Sequence, residues 1–141
     1  YMEAGAIFII QNEVGRFLLE QRNANSKRSQ WGWVFPGGKR EGIDNDTLDT
    51  VVRESLEEFG IEINKEAIQK IGDMDREVEE GFLSIYLVKI VQPSKLVISE
   101  SAGGGWFSVE EIEKMELGYS QKTRIFPVLI SFLESQKLAF Q

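Results

Sequence analysis

The chain has 141 residues, of which 42% are hydrophobic, and this size and composition favour one globular domain over residues 1–141. It contains no cysteine and no histidine, which excludes disulfides, thiolate nucleophiles, zinc sites of the usual ligand types and serine–histidine triads. The net charge of -7 argues against binding to nucleic acid polymers, and no apolar run approaches the roughly 20 residues of a membrane span. We therefore expect a cytoplasmic protein, a monomer or a homodimer, whose chemistry uses carboxylates, Lys, Arg, Tyr or bound ions.

The first third of the sequence predicts three strands and a glycine turn. Residues 4–10 and 16–21 are apolar runs, and residues 11–15 between them have the polar and glycine content of a hairpin connection. Residues 33–35 predict a short strand that leads into the turn Phe-Pro-Gly-Gly-Lys at residues 35–39. Two adjacent glycines let a backbone approach a ligand without interference from Cβ atoms, so this turn is a candidate binding element.

A helix with three carboxylates on one side follows the turn. Asp46 predicts its start and Gly60 predicts its end. Glu54, Glu57 and Glu58 are i, i+3 and i+4 neighbours, and like charges at these spacings cost roughly 0.2 to 0.5 kcal/mol per pair. The group therefore indicates a compensating cation, for which Mg²⁺ or Mn²⁺ is suited because these hard ions prefer oxygen ligands. The alternative is an ordinary solvated helix face.

The remainder of the sequence alternates between strand and helix. Residues 67–78 and 82–91 predict a second hairpin, although the first of these two stretches alternates poorly. A last strand is predicted at residues 105–108, and a C-terminal helix at residues 121–138, which Pro127 kinks or restarts. Mixed strands with helices on both sides fit an α/β/α sandwich.

Residues 38–61 resemble the signature of the Nudix hydrolases, G-x5-E-x7-R-E-U-x-E-E-x-G-U, in which U is a bulky apolar residue. The metal-binding part of the signature is present as Arg-Glu-Ser-Leu-Glu-Glu, with Ser55 at the first U position. The first acidic position falls on Asp44 when counted forward from the glycine, and on Asn45 when counted back from Arg53. The loop is therefore one residue longer than the pattern.

This resemblance implies a Nudix-type α/β/α sandwich with a mixed β-sheet, and a MutT-like pyrophosphohydrolase that uses Mg²⁺, with Mn²⁺ as a substitute. It implies that the Gly38 carbonyl and the carboxylates of Glu54, Glu57 and Glu58 hold the metal. The metal would bridge phosphate oxygens and activate a water for in-line attack, with Glu57 as a catalytic candidate. Arg53 would orient a ligand carboxylate through a charge-assisted hydrogen bond.

Five other residues have a functional interpretation beside a structural one. By resemblance, Glu100 supplies an extra metal ligand or the general base; otherwise it is a solvated loop acid. Arg22 resembles a substrate-contacting arginine, and Lys39 is placed to reach a phosphate, but both are also ordinary surface charges. Trp31 and Tyr86 are candidates for stacking on a base, whereas aromatic residues in such positions more often fill a core or a sheet rim.

The predicted reaction is hydrolysis of the pyrophosphate linkage in a nucleoside diphosphate derivative. A nucleoside triphosphate cleaved to monophosphate and pyrophosphate is favoured, because the glycine turn and Glu100 resemble the family branch with that activity. A nucleotide sugar such as GDP-mannose, or ADP-ribose, is the alternative substrate. A second alternative is a module that binds nucleotide without cleaving it, against which the three intact glutamates argue. The expected partner is a small nucleotide.

Overall fold

The computed structural model describes residues 1–23, 31–91 and 103–139, which form a seven-stranded sheet between two layers of helices. The strands are β1 (Glu3–Gln11), β2 (Phe17–Gln21), β3 (Trp33–Val34), β4 (Gly37–Lys39), β5 (Ile68–Asp75), β6 (Phe82–Lys89) and β7 (Gly103–Phe107). The helices are α1 (Thr47–Phe59), α2 (Val109–Glu113), α3 (Gln121–Arg124) and α4 (Phe126–Ala139), and 3₁₀ turns lie at Lys65–Ala67 and Gly118–Ser120.

Strand β1 lies at the centre of the sheet and explains its mixed character. It runs parallel to β6 on one side; on the other side it pairs antiparallel with β4 and, at its end, with β2. Strands β5 and β6 form the second predicted hairpin, while β2 also pairs with β3 and β7. Because β4 pairs only with residues 5–7, it places the glycine segment along the first half of β1.

The side chains of β1 alternate between two hydrophobic cores. Phe8 and Ile10 pack with residues of α1 on one face, whereas Ile7 and Ile9 pack with residues of α2 and α4 on the other. Successive side chains of a strand point to opposite faces, so one strand serves both layers. The predicted α/β/α sandwich with a mixed sheet is confirmed.

Two predicted elements in the sheet differ from what is observed. The glycine turn at residues 35–39 is not a turn throughout, since Gly37–Lys39 is a strand that pairs with β1. Strand β5 contains a register shift between Lys70 and Gly72 in its pairing with β6. Such a bulge inserts one extra residue and reverses the alternation of side chains, which explains the poor pattern in the sequence.

The helix predicted at residues 121–138 is divided into α3 and α4. Ile125 lies between them, and Pro127 is the second residue of α4. Proline has no N–H to donate and is tolerated in the first turn of a helix, so it restarts the helix rather than kinking it. Among the described residues, no helix is long and apolar enough to cross a membrane.

Candidate active site

Helix α1 begins and ends at the residues that the sequence indicates. The side chain of Asp46 accepts a hydrogen bond from the N–H of Asp49 at 3.0 Å, which caps the first turn. Gly60 adopts φ 66°, and its N–H donates to the carbonyl of Leu56 at 3.0 Å. These bonds satisfy backbone groups that have no partner inside the helix, so they fix the helix ends and the direction of its acidic side.

A buried ion pair between Asp44 and Arg53 connects the preceding loop to α1. Arg53 donates from Nε to Oδ1 of Asp44 at 3.1 Å and from Nη2 to Oδ2 at 2.9 Å. Oδ2 also accepts hydrogen bonds from the Thr50 hydroxyl and the Glu41 N–H, each at 2.9 Å. The Asp44 side chain is only 3% exposed, and its donors, the guanidinium first among them, hold the pKa of this carboxyl well below its ordinary value.

This ion pair decides which residue occupies the first acidic position of the signature. Spacing leaves Asp44 and Asn45 open, and the structure places Asp44 against Arg53, whereas the carbonyl of Asn45 accepts a bond from Arg40. Aspartate is one methylene shorter than the glutamate of the pattern, and the loop is one residue longer. We infer that the two departures compensate each other, since the longer loop brings the shorter side chain to the guanidinium.

The guanidinium of Arg53 also donates hydrogen bonds to acids of α1 and to the backbone of β4. Nη1 donates to Oε1 of Glu54 at 3.0 Å and to Oε2 of Glu57 at 3.4 Å. Nη2 donates to the carbonyl of Lys39 at 3.1 Å. The rigid fork of an arginine can hold several acceptors at once, so one side chain ties a loop, a strand and two helix carboxylates together.

The acids of α1 differ in their exposure because β4 covers one of them. The side chain of Glu54 is 15% exposed and that of Glu57 is 60% exposed. A Cβ atom on Gly38 would lie 2.5 Å from Cγ and 2.8 Å from Cδ of Glu54. Glu54 is therefore not part of a solvated helix face, because its side chain occupies the space that the missing side chain of Gly38 leaves.

A cavity of about 280 Å³ opens beside β4. Its wall includes Gly38 and Lys39 of β4, Arg22 after β2, and Tyr119 and Gln121 near α3. The guanidinium carbon of Arg22 lies 4.4 Å from the ring centroid of Tyr119, which is a cation–π contact. Because Gly38 belongs to the cavity wall and also contacts Glu54, the cavity and the acidic side of α1 meet at one residue.

Two consecutive residues, of which Tyr119 lies in the cavity wall, have left-handed backbone conformations. Tyr119 has φ 56° and Ser120 has φ 58°. Such conformations are uncommon for residues other than glycine, and they concentrate at ligand and active sites. The ring of Tyr119 lies against the guanidinium of Arg22.

A family model described as the NUDIX domain matches residues 2–129. The chain belongs to the Nudix family. Membership confirms the prediction of a MutT-like Nudix pyrophosphohydrolase at the level of reaction class. A comparison with curated proteins finds no match.

Solved structures share this Nudix fold. A MutT protein from Methanosarcina mazei Go1 is 28% identical, with a TM-score of 0.66 over 82% of this chain and 84% of that chain. The NUDIX domain of Shewanella oneidensis NrtR complexed with ADP ribose is 14% identical, with a TM-score of 0.76 over 94% and 89% of the two chains. An Ap4A hydrolase from C. elegans is 22% identical, with a TM-score of 0.69 over 97% and 99% of the two chains. The last two similarities show the fold alone.

The donor types on the acidic side of this Nudix domain fit a hard divalent cation. Glu54, Glu57 and Glu58 supply carboxylate oxygens and Gly38 a backbone carbonyl, and no sulfur or imidazole competes with them. Within residues 1–23, 31–91 and 103–139, no group of three acidic side chains is close enough to hold a metal ion. Glu54 and Glu57 are instead directed at Arg53, so metal binding would require their carboxylates to reorient.

The structure brings some predicted substrate-binding residues to the cavity and not others. Arg22 and Lys39 lie in its wall. Trp31 is 55% exposed and does not belong to the wall. Tyr86 is buried in the core beneath α1, where its hydroxyl shares a hydrogen bond of 2.6 Å with Thr47, so the core-filling interpretation fits it. The predicted catalytic and metal-binding residue Glu100 lies outside the described residues, and its role stays a prediction.

Other residues of the cavity were not singled out by the sequence. Tyr119 and Gln121 come from a segment about 80 positions after β4, and only the fold brings them to the same cavity. The side-chain carbonyl of Gln121 accepts the N–H of Phe35 at 2.8 Å, so its amide nitrogen is the group it can offer to a ligand. No local motif marks them, because Gln121 begins the polar helix Gln121–Arg124 and nothing in that segment predicts that its side chain is buried.

Removing the charge of Asp44 is expected to destabilise the fold. In an Asp44→Asn variant Arg53 loses the most buried of its three carboxylate partners. Breaking a buried pair from one side typically costs about 3 kcal/mol, and the remaining contacts of Arg53 with Glu54 and Glu57 reduce this cost. Because the folded-state pKa of Asp44 is depressed, its contribution is present above the unfolded pKa of about 3.9 and is lost as the pH falls below that value. Urea denaturation from pH 7 to pH 3 should give a shallower pH dependence for Asp44→Asn than for the unchanged protein. Equal slopes would contradict this assignment.

Replacing Ser55 with alanine is expected to stabilise the fold. Ser55 is completely buried, and its hydroxyl has no hydrogen-bond partner in the part of the chain that the structure describes. Removing an unsatisfied buried hydroxyl and improving helix propensity should raise the free energy of unfolding by about 1 kcal/mol. Ser135→Ala in α4 is the control, since that exposed hydroxyl donates to the Phe132 carbonyl at 2.7 Å. A loss of stability in Ser55→Ala would show that the hydroxyl has a partner after all.

Proposed function

We propose that the chain hydrolyses nucleoside triphosphates to nucleoside monophosphate and pyrophosphate. The observation that carries the proposal is the position of Gly38, which lies in the cavity wall and packs against Glu54. A nucleotide in the cavity would therefore bring its phosphates to the acidic side of α1. The general reaction class follows from the family, whereas the substrate is inferred from the cavity.

The size of the cavity favours a compact substrate. Its volume of about 280 Å³ lies just below the range of roughly 300 to 1,000 Å³ that is usual for drug-sized ligands. One nucleoside fits such a space better than a ligand with a second sugar or a second nucleoside. This supports a nucleoside triphosphate, whose phosphates extend toward β4, over a nucleotide sugar, ADP-ribose or a dinucleoside polyphosphate.

The cavity wall contains charges of both signs. Arg22, Lys39 and Arg76 contribute cations to the wall, and Glu20, Glu77 and Glu79 contribute carboxylates. Arg76 donates a hydrogen bond to Glu79, so Arg22 and Lys39 are the cations proposed to meet a phosphate chain. Lys39 follows Gly38 directly, so its ammonium group can neutralise a phosphate next to the acids of α1. Arg22 and Tyr119 form a cation–π pair in the same wall, which is the element proposed to contact a base.

The reaction uses the acids of α1 in distinct roles. Gly38, Glu54, Glu57 and Glu58 would hold Mg²⁺, which when bound neutralises phosphate charge and makes a coordinated water more acidic. Arg53 fixes the carboxylates of Glu54 and Glu57 from one side and so limits their orientations. Glu57, the exposed acid, accepts the proton of the attacking water.

The attack itself is a single displacement. The water oxygen forms a bond to one phosphorus atom of the linkage between the α and β phosphates, and the bond from that phosphorus to the bridging oxygen breaks. The proton of the water goes to a carboxylate oxygen of Glu57, and the negative charge stays on the departing phosphate oxygen. Nucleoside monophosphate and pyrophosphate are the products.

A product analysis tests the proposal. Nucleoside triphosphates, GDP-mannose, ADP-ribose and dinucleoside polyphosphates are incubated separately with the protein and Mg²⁺, and the products are separated by ion-exchange chromatography. We expect triphosphates to have the highest kcat/KM, with monophosphate and pyrophosphate released in equal amounts. Release of orthophosphate, or a higher kcat/KM for one of the other substrates, would contradict the proposal.

The same analysis separates the alternatives. ADP ribose is bound by the NUDIX domain of Shewanella oneidensis NrtR, and an ADP-ribose hydrolase would yield AMP and ribose phosphate here. A module that binds without catalysis would give no product with any substrate, but would still bind nucleotide in an equilibrium measurement. A Glu57→Gln sample prepared in the same way controls for contaminating phosphatases, whose activity would survive the substitution.

A further inference from the structure

Strand β1 is irregular at the point where it passes the glycine segment. In its pairing with β6, Glu3 lies opposite Phe82 and Gly5 lies opposite Leu83, which leaves Ala4 as one extra residue. A bulge of this kind bends a strand and changes the direction of its backbone groups, and bulges are frequent next to active sites. The bulge at Ala4 therefore changes the backbone direction of β1 just before the residues that pair with β4.

The residue after the bulge has no room for a side chain. A Cβ atom on Gly5 would lie 2.3 Å from the carbonyl oxygen of Gly38 and 3.2 Å from Cα of Lys39. Optimal contacts between non-bonded carbon atoms are about 3.5 to 4.0 Å, so a side chain here would displace the backbone of β4. Gly5 faces Lys39 in the ladder, and Ala6 faces Gly38, so the displaced atoms belong to the middle of β4.

Gly38 has a second close neighbour in α1. A Cβ atom on Gly38 would lie 2.5 Å from Cγ of Glu54. The backbone of β4 is thus close to both Gly5 of β1 and Glu54 of α1, and neither glycine has a side chain that separates the two elements. A shift of Gly38 that a side chain at residue 5 forces would therefore change its contact with Glu54.

Gly72 and Gly42 lack this arrangement and serve as comparisons. A Cβ atom on Gly72 of β5 would lie 3.0 Å from Cγ1 of Val128, which is the end of a side chain rather than backbone. A Cβ atom on Gly42 would have no neighbour within 4 Å. Gly72 therefore controls for the general effect of filling a strand glycine, and Gly42 for the loss of a glycine in a loop.

We propose that Gly5 is a positioning residue that sets the place of the Gly38 carbonyl and of Glu54 at the active site. The proposal rests on the proposed function, in which these two groups hold the divalent cation. Gly5 itself touches neither cation nor substrate. It acts through the close contact of β1 with β4, and the bulge at Ala4 provides the local backbone shape that this contact needs.

The test compares Gly5→Ala with Gly72→Ala and Gly42→Ala. Binding of Mn²⁺ alone to nucleotide-free protein is measured by isothermal titration calorimetry, and each fold is checked by circular dichroism and thermal denaturation. Misplacing the support of a metal ligand typically weakens metal affinity about 10- to 100-fold, and we expect such a loss for Gly5→Ala only. We also expect its kcat with Mg²⁺ to fall more than its KM for nucleotide rises, since the displaced residues Gly38 and Lys39 lie next to the acids of α1, whereas Arg22, Tyr119 and Gln121 of the cavity wall belong to other elements.

Two results of the Mn²⁺ titration would overturn the proposal. One is a Mn²⁺ affinity of Gly5→Ala equal to that of the unchanged protein, and the other is a loss no larger than that of Gly72→Ala. If Gly5→Ala does not fold, the comparison is repeated with Ser55→Ala added to every variant; failure to fold there also counts against a positioning role. Absence of Mn²⁺ binding by the unchanged protein would contradict the proposed metal site itself. Mn²⁺ binding by the unchanged protein, together with weaker Mn²⁺ binding by Gly5→Ala, supports both the metal site and the positioning role of Gly5.

Discussion

Removal of divalent metal ions is expected to abolish hydrolysis. The chain has a net charge of -7, and Glu54, Glu57 and Glu58 lie on one helix, so a phosphate chain is repelled from this surface until cations neutralise it. Metal ions supply several kcal/mol of charge stabilisation in such reactions, and each 1.36 kcal/mol corresponds to tenfold in rate, so turnover in EDTA should fall at least about 1,000-fold. Product formation is measured by chromatography before and after chelation.

The control for this experiment is restoration of activity by excess Mg²⁺ or Mn²⁺ in the same sample. Full recovery shows that the chelator removed an ion and did not damage the fold. Turnover that persists in EDTA after dialysis would contradict the assignment of the α1 acids as metal ligands. It would direct attention to the cations of the cavity wall, among which Lys39 and Arg22 lie, as the groups that neutralise phosphate.

Local signals were sufficient to predict helix α1 and its ends. Asp46 caps the first turn with its side chain, and Gly60 ends the helix in a left-handed conformation, as expected for these residue types. Both signals act over a few residues and depend little on the rest of the fold. The placement of the acidic residues on one side of α1 could therefore be predicted without knowledge of the sheet.

The loop before α1 could not be predicted from spacing alone. Asp44 and Asn45 are both candidates for the first acidic position of the signature. Counting forward from Gly38 selects Asp44, whereas counting back from Arg53 selects Asn45. Burial decides between them: Asp44 receives two hydrogen bonds from Arg53 as well as bonds from Thr50 and Glu41. Such a network is a property of the packed loop, which a linear pattern does not describe.

The face that an aromatic residue occupies also depends on the fold. Tyr86 was a candidate for stacking on a base, and the pairing of β6 with β1 places it opposite Phe8, in the core beneath α1. Ile85, one residue earlier, faces the other layer. Shifting the register of β6 by one residue would exchange the faces that Tyr86 and Ile85 occupy. A run of consecutive apolar residues does not predict the register, because both faces are apolar.

Replacement of Glu57 by glutamine is expected to lower kcat at least about 100-fold while the fold stays intact, since general-base catalysis is typically worth roughly 10² to 10⁴. The side chain is 60% exposed, and its contact with Nη1 of Arg53 is long, at 3.4 Å. Losing this charge should therefore change the free energy of unfolding by less than about 0.5 kcal/mol, and relief of repulsion within α1 acts in the stabilising direction. Steady-state kinetics at saturating Mg²⁺ and urea denaturation give the two quantities.

Glu134→Gln is the matched control, because it makes the same change of charge on an exposed position of helix α4, away from the cavity. We expect its kcat to stay within about twofold of the unchanged protein, as is usual for surface substitutions. An effect confined to Glu57→Gln, with KM altered less than kcat, would show that the carboxylate acts mainly in the transition state. Wild-type turnover in Glu57→Gln would remove it as the base and leave the proton of the attacking water to another group. Unfolding of that variant would contradict the expectation that this exposed carboxylate contributes little to stability.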